Sequence, residues 1–368
     1  MLQRSFVVKG EALPAVLVVT LLLAVSGSVL SVPAATSRGD SKPVDNLVAA
    51  AQSALRQGDK FSSAVTPKDD DDIDRHRKTS FTSPVDGYFI QERASRALPE
   101  PGQHKNFGAL VPWDQVISKL NAETKLLFLI RHGQAWSNYL EEVLGPDLWY
   151  GVVSKCGFTT GNGTDYQIFD AELTDAGQAQ AENLHAMLGS NSTYKTITGN
   201  LPTRAIVSPL SRCLDTASIV LADMPVTNIN TEELIRETLG SDTCDARRSV
   251  SDPPGGGKPE TGPCAFDRGL KSKYPQYDFP VRGDDKTDFG LLTDDDHLWK
   301  KNKREKQKHQ VRRAEKFLET LFINAEEQVI VVVTHSGFIR SLLLAVDREP
   351  YRPKNAEVVP AIIQMRNR

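Results

Sequence analysis

The chain has 368 residues, with 44 Lys and Arg against 47 Asp and Glu and a formal net charge of −3. That length suits one large domain or two modest ones, and 39% hydrophobic with 25% charged residues is enough to build a packed core. The near-neutral balance excludes nucleic-acid binding driven by overall charge, so any anion site must be local. Four cysteines (Cys156, Cys213, Cys244 and Cys264) are too few for a disulfide scaffold.

At the N-terminus, Arg4 and Lys9 precede an apolar run from Ala12 to Val25 that continues weakly to Val32. With small residues at Val32 and Ala34, residues 1–34 read as a signal peptide directing the chain to the secretory pathway or outside the cell. The alternative is a membrane anchor, since the run approaches the roughly 20 residues that span a bilayer; a cytoplasmic chain results if the segment is not used. Two sequons, Asn162-Gly163-Thr164 and Asn191-Ser192-Thr193, are compatible with secretion and glycosylation. Residues 35–85 are polar, include Lys68-Asp69-Asp70-Asp71-Asp72, and read as a disordered linker. The folded domain is expected over residues 86–368, beginning where aromatic residues return at Tyr88 and Phe89.

Lys125 to Arg131 is a short apolar run ending in charge, a buried strand. Thr174 caps a helix on which Ala181, Leu184 and Leu188 recur at helical spacing. Arg204 to Ser208 reads as a second strand. Pro209 then starts a helix carrying Leu210, Cys213, Leu214, Ala217 and Val220, with Cys213 a buried thiol on its apolar face. Val226 to Ile229 is a third strand, and Ser251 to Gly262 a Gly- and Pro-rich surface loop. A long helix is expected over Lys300 to Phe322. Its basic start reads as a solvated face, or else as a contact with an anionic membrane. Val329 to Val333 is a strongly apolar strand with His335 close behind it. Strands alternating with helices predict a three-layer α/β/α domain with a mixed, mostly parallel central sheet.

Reactive groups in open α/β sheets collect at the carboxyl ends of the strands. Three predicted strands end in polar residues: Arg131-His132-Gly133, Ser208-Pro209-Leu210-Ser211-Arg212 and Thr334-His335-Ser336-Gly337. If those strands are neighbours, two histidines and two arginines meet. Guanidinium forks match phosphate oxygens and keep their charge. They also lower the pKa of a nearby imidazole, and a neutral imidazole nitrogen can attack phosphorus. Gly133 would let the backbone approach the anion closely.

These segments resemble the motifs of the histidine phosphatase (phosphoglycerate mutase-like) superfamily. Arg131 to Asn138 resembles its first-histidine signature, and Asp170 to Gln180 its helix start. Ser208 to Arg212 resembles its arginine element, and Thr334 to Gly337 its second-histidine motif, in the same order. Ala135, Ser137 and Ser336 depart from the acid-phosphatase and phytase branch. Leu234 to Gly240, Cys244 to Ser249, Tyr88 to Gln91, Asn106 to Gly108 and Asp296 to Trp299 resemble a fungal and plant group of phosphoglycerate mutase-like phosphatases.

The resemblance implies that His132 is the nucleophile, and that Arg131, Arg212 and His335 bind the phosphoryl group beside Asn138. It implies that Glu237 is the general acid and then the base, with Glu233, one helical turn away, as its rival. Asp245, Arg247 and Arg248 would shape the leaving-group side, or else form a surface ion-pair cluster. The expected function is metal-independent and cofactor-independent hydrolysis of a small-molecule phosphate monoester, with no nucleic acid involved. Phosphoglycerate mutase-type transfer and a non-catalytic phosphate-binding relative are the alternatives.

Overall fold

A computed structural model describes residues 81–93, 103–154, 158–159, 165–166, 168–189, 191–253, 268–282 and 288–366, all within one compact unit, Asn46–Arg368. The expected signal peptide, nearly all of the expected linker, the first sequon, Cys156, Cys264 and most of the Gly-Pro loop lie outside the described residues. Among the described residues, no helix is long and apolar enough to cross a membrane.

The central sheet contains β1 (Thr82–Val85), β2 (Thr124–Arg131), β5 (Thr203–Val207), β6 (Val226–Thr231), β7 (Val329–Thr334) and β8 (Val358–Met365), in the order β1-β8-β2-β7-β5-β6. Strands β3 (Phe158–Thr159) and β4 (Asp165–Tyr166) form a separate antiparallel pair. Within the central sheet, β2, β7, β5 and β6 run parallel, whereas β8 runs antiparallel to both β2 and β1. The expected mixed, mostly parallel sheet is therefore present. Two strands of the central sheet were not anticipated. Strand β8 carries Pro360, a residue that weakens a strand reading because it lacks an N–H. Strand β1 occupies the last residues of the segment read as linker, so the domain begins before residue 86. Its polar sequence is accommodated because it pairs along one side only, with β8.

Among the described residues there are eight α-helices: α1 (Trp113–Ile117), α2 (Trp136–Leu148), α3 (Asp175–Gly189), α4 (Asn191–Thr198), α5 (Ser211–Val220), α6 (Leu270–Lys273), α7 (Gln307–Asn324) and α8 (Ser336–Ala345). Alternation along β2 separates the two cores. Leu126, Phe128 and Ile130 pack with Ala181 and Leu184 of α3 and Leu214 and Ala217 of α5. Leu127 and Leu129 face the other way, onto Phe317 and Leu318 of α7 and Phe338 and Leu342 of α8. Burying each such side chain contributes about 1.5–3 kcal/mol, so both helix layers are anchored through the sheet.

Helix starts differ from expectation at two places. Helix α5 begins at Ser211 rather than Pro209, because Asp170 accepts hydrogen bonds from Ser211 N (2.8 Å) and Ser211 Oγ (2.6 Å) and caps the turn there. Helix α7 begins at Gln307 rather than Lys300. The preceding residues instead bond to the 239–242 segment, through Glu305 N to Leu239 O (2.8 Å) and Ser241 N to Lys300 O (3.0 Å).

Candidate active site

Sheet order brings the three polar strand ends together. Strand β7 lies between β2 and β5, with Arg131 paired to Thr334 and Val207 to Val333. The ladder continues past the strands: His132 N donates to Thr334 O and Ser208 N to Val333 O, both at 3.0 Å. The His132 and His335 rings consequently stand 5.1 Å apart, centroid to centroid.

The loop after β2 is clamped by the helix after Thr174. Thr174 Oγ1 accepts from Gly177 N (3.0 Å), the expected cap, and donates to Gln134 Oε1 (2.9 Å), while Gln180 Oε1 accepts from Gln134 N (2.8 Å). Gly133 was expected to let the backbone approach an anion. Its missing side chain instead makes room for the Gly177 carbonyl, and Gly177 in turn makes room for the Gln134 carbonyl; a Cβ on either would collide. Gly133 N donates to Thr216 Oγ1 at 3.0 Å.

His132 is buried, and its Nδ1 lies 2.6 Å from Gly133 O. A carbonyl can only accept, so Nδ1 carries the proton and Nε2 keeps its lone pair. Arg212 Nε donates to that Nε2 at 3.2 Å. Burial, then Arg212 and Arg131, push the His132 pKa well below its ordinary value, so the ring is neutral. His335 is likewise pushed down, by burial, Arg212 and His132. Its Nε2 sits 2.8 Å from Ser208 Oγ and 3.4 Å from Cys213 Sγ, and it is fully buried behind the cavity wall. Cys213 is a free, buried thiol, as expected.

The cavity in front of His132 has a volume of about 530 Å³ and is lined by Arg131, Asn138, Arg212, Glu237 and Asp245 among the anticipated residues. Arg131 donates to Pro353 O at 2.9 Å, while its buried Nε has no hydrogen-bond partner. Arg212 is fixed by Cys244 O (2.6 Å) and Asp245 Oδ1 (2.9 Å). Asn138 accepts from Ala135 N at 3.1 Å and so holds the start of α2.

Glu237 lies just past a short 3-10 turn (Glu233–Ile235), not on an α-helix. It accepts from Thr238 N (2.8 Å) and, at its other oxygen, from Gly337 N (3.3 Å). Burial pushes its carboxyl up, but the Thr238 hydrogen bond and the guanidinium groups of Arg212, Arg304 and Arg352 outweigh it and hold the pKa below the ordinary value. The rival, Glu233, does not line the cavity. It is buried and paired with Arg236 (2.7 Å) and Arg247 (2.9 Å).

Arg247 and Arg248 do not reach the cavity, which corrects the expectation that they shape the leaving-group side. Neither do they form a surface cluster, since both are buried. Arg247 spends its donors on Glu233 and on the carbonyls of Thr293, Asp294 and Arg248. Arg248 Nε pairs with Asp170 at 3.0 Å and thereby supports the cap of the helix that carries Arg212. Asp245 is at the cavity, but its carboxylate is committed to Arg212 and, through Oδ2, to Arg304 at 3.0 Å.

Sequence reasoning missed Arg304, Lys306, Tyr150 and Arg352, which also line the cavity. Arg304 and Lys306 sit within the basic run read as a solvated face. Arg352 follows α8 in a loop with no motif to mark it.

A model of the histidine phosphatase superfamily (branch 1) matches residues 157–243. The chain is 28% identical over 284 residues to phosphomutase-like protein 3 of Candida albicans, covering 76% of this chain and 79% of that protein. It is 29% identical over 262 residues to phosphoglycerate mutase-like protein 1 of Arabidopsis thaliana, covering 64% and 76%. It is 30% identical over 264 residues to a probable phosphoglycerate mutase of Saccharomyces cerevisiae, covering 67% and 80%. With an uncharged imidazole between buried guanidinium groups at the carboxyl ends of a mixed sheet, the chain belongs to the phosphoglycerate mutase-like branch of the histidine phosphatase superfamily.

Proposed function

We propose that the protein hydrolyses phosphate monoesters through a phosphohistidine formed on His132. The carrying observation is the fixed tautomer: the Nδ1 proton is held by Gly133 O, which leaves the Nε2 lone pair beside Arg212. In the first step Nε2 attacks phosphorus and the ester P–O bond breaks. The leaving oxygen takes a proton from the Glu237 carboxyl. In the second step water attacks phosphorus and gives its proton to the Glu237 carboxylate, the P–Nε2 bond breaks with its electron pair returning to Nε2, and inorganic phosphate departs. Arg131 and Arg212 hold the phosphoryl oxygens, and His335 supports them from behind the wall. Charge stabilisation on the equatorial oxygens, which dominates phosphoryl transfer, is thereby assigned to side chains, with no metal required.

Glu237 must be protonated when it acts. The Thr238 hydrogen bond and the arginines hold its pKa down. A phosphate dianion among the same guanidinium groups offsets their charge and raises the carboxyl toward a useful range.

The test is labelling. The protein is mixed with a ³²P-labelled aryl phosphate and quenched in alkali, where a P–N bond survives. Label on the wild type and none on His132→Ala supports the reading. Phosphate release without any label on His132 refutes it.

The second reading is transfer rather than hydrolysis, favoured by the mutase names of the Arabidopsis and Saccharomyces relatives. Interconversion of 3-phosphoglycerate faster than release of inorganic phosphate would establish it.

A further inference from the structure

Residues 351–357, in the connection from α8 to β8, fold back over the end of β2. Arg131 N donates to Glu357 O, and Ala356 N to the carbonyls of Arg131 and His132, all at 3.1 Å. Arg131 Nη1 donates to Pro353 O at 2.9 Å. Glu357, itself buried, accepts from Lys354 N at 2.7 Å and from the Tyr351 hydroxyl. Ala356 has φ +56, a conformation that an alanine adopts at a cost, so the surrounding bonds impose this turn. Asn355 therefore projects from a segment fixed to the strand end that carries His132.

The Asn355 amide bonds two groups at once. Its Nδ2 donates to His132 O at 3.2 Å and to Asn138 Oδ1 at 3.3 Å. A carbonyl can only accept, so His132 O sets the Asn355 amide with its nitrogen inward. Asn138 Oδ1 also accepts from Ala135 N at 3.1 Å, so both its lone pairs face donors. That pattern decides which way the Asn138 amide points, because exchanging its oxygen and nitrogen would set N–H against N–H twice. Asn138 Nδ2 makes no hydrogen bond among the described residues, and Asn138 lines the cavity. Its two N–H groups are left for a ligand in the cavity that Arg131 and Arg212 also line.

Building on the phosphatase reading above, we propose that Asn355 is a positioning residue that turns the Asn138 amide nitrogen toward the phosphoryl group and ties that donor to the main chain of His132. His132 O orients Asn355, Asn355 orients Asn138, and Asn138 Nδ2 donates to a phosphoryl oxygen. The donor and the attacking Nε2 then share one frame, which holds that oxygen in a fixed relation to the nitrogen. A hydrogen bond to a charged oxygen is stronger than one between neutral groups, and an amide turned in advance loses less freedom when the anion binds. Asn355 does not itself line the cavity, so its influence on the anion passes through Asn138.

Binding of inorganic phosphate to the full chain is measured by calorimetry. Asn355→Ala is expected to weaken it about tenfold, and Asn138→Ala by about as much or more. The double variant is expected to match Asn138→Ala alone to within about twofold, because the effect of Asn355 on phosphate passes through that amide. A merely structural role would instead make the two losses multiply. Asn355→Asp keeps the shape of the side chain and puts an acceptor where the donor stood. It is expected to turn the Asn138 amide over, aim its Oδ1 at the anion, and weaken binding further than Asn355→Ala does. Losses that multiply in the double variant, or wild-type affinity in Asn355→Asp, overturn the proposal. So does a wild type that binds no phosphate. Phosphate binding needs no turnover, so histidine labelling by an aryl phosphate, run in parallel, separates a failure of this relay from a failure of the phosphatase reading.

Discussion

The part of the cavity that carries His132 and the wall that carries Glu237 are built by different means. His132 and His335 follow directly on strands β2 and β7, and Arg212 follows β5 in the first turn of α5. Their positions are set by register and helix capping. Glu237, Asp245 and Arg304 lie on irregular segments that wander over the strand ends. Those segments are held by buried charge: Arg236 bonds Glu233 (2.7 Å), Asp296 (2.6 Å) and Asp245 O (2.7 Å), and Asp296 also receives Arg247 N (2.7 Å). Strand ends confer rigidity from the sheet that every member of a fold shares. A wall made of ion pairs takes its shape from its particular residues.

Four substitutions break or sharpen that contrast. His132→Ala is expected to lower kcat by on the order of 10⁴-fold or more while the circular dichroism spectrum is retained, because the residue serves chemistry and the ladder serves the fold. Arg236→Met strikes the other half: it strands Asp296 and weakens Glu233 in the interior. Breaking a buried pair in this way costs about 3–5 kcal/mol, read from the urea midpoint. Glu237→Gln is expected to slow alkyl phosphates by about 10²–10³-fold and nitrophenyl phosphate much less, since a good leaving group needs no proton. Equal slowing for all esters would remove Glu237 from the acid role. Gly177→Ala is expected to cost about 1–3 kcal/mol in thermal or urea unfolding by forcing the Gln134 carbonyl away, with a loss of kcat as the loop bearing His132 shifts.

Acid titration gives a smaller, graded signal. Burial raises the Asp296 carboxyl, but Arg236 and backbone donors outweigh it and hold the pKa far below the ordinary value. A depressed carboxylate stabilises the fold at pH values above its unfolded pKa of about 3.9, and that contribution disappears as pH falls toward the folded pKa. Unfolding monitored from pH 5 downward should therefore show a steep acid limb in the wild type, flattened in Asp296→Asn. An acid limb of equal slope in both would show that Asp296 is not its source.

How much of this was legible beforehand follows the same division. Strands β2, β5 and β7 announce themselves as apolar runs, and Thr174 announces its helix because a hydroxyl before an acidic first turn is a local signal. Convergence of His132, Arg212 and His335 follows from those strands by fold-level rules. The wall was opaque because its determinants are long-range. Nothing near Arg247 indicates that Glu233 will neutralise it, and nothing near Arg304 indicates that two aspartates some sixty residues earlier will draw it inward. Lysine-rich composition from 300 onward suited a solvated helix equally well, and only backbone pairing with 239–242 excludes that conformation. Strand β8 stayed hidden because Pro360 contradicts the local rule, which the antiparallel pairing with β2 overrides.

The carboxylate of Asp245 touches Arg212 with one oxygen and Arg304 with the other. One side chain therefore straddles Arg212, to which the proposed mechanism assigns the phosphoryl oxygens, and Arg304, which lines the same cavity. A substitution at position 304 would release one oxygen of Asp245 and so disturb the placement of Arg212, which makes the two positions mutationally entangled. Divergence in this lineage should then proceed by paired exchanges across that bridge, and a double-mutant cycle between 245 and 304 would return an interaction energy well away from zero.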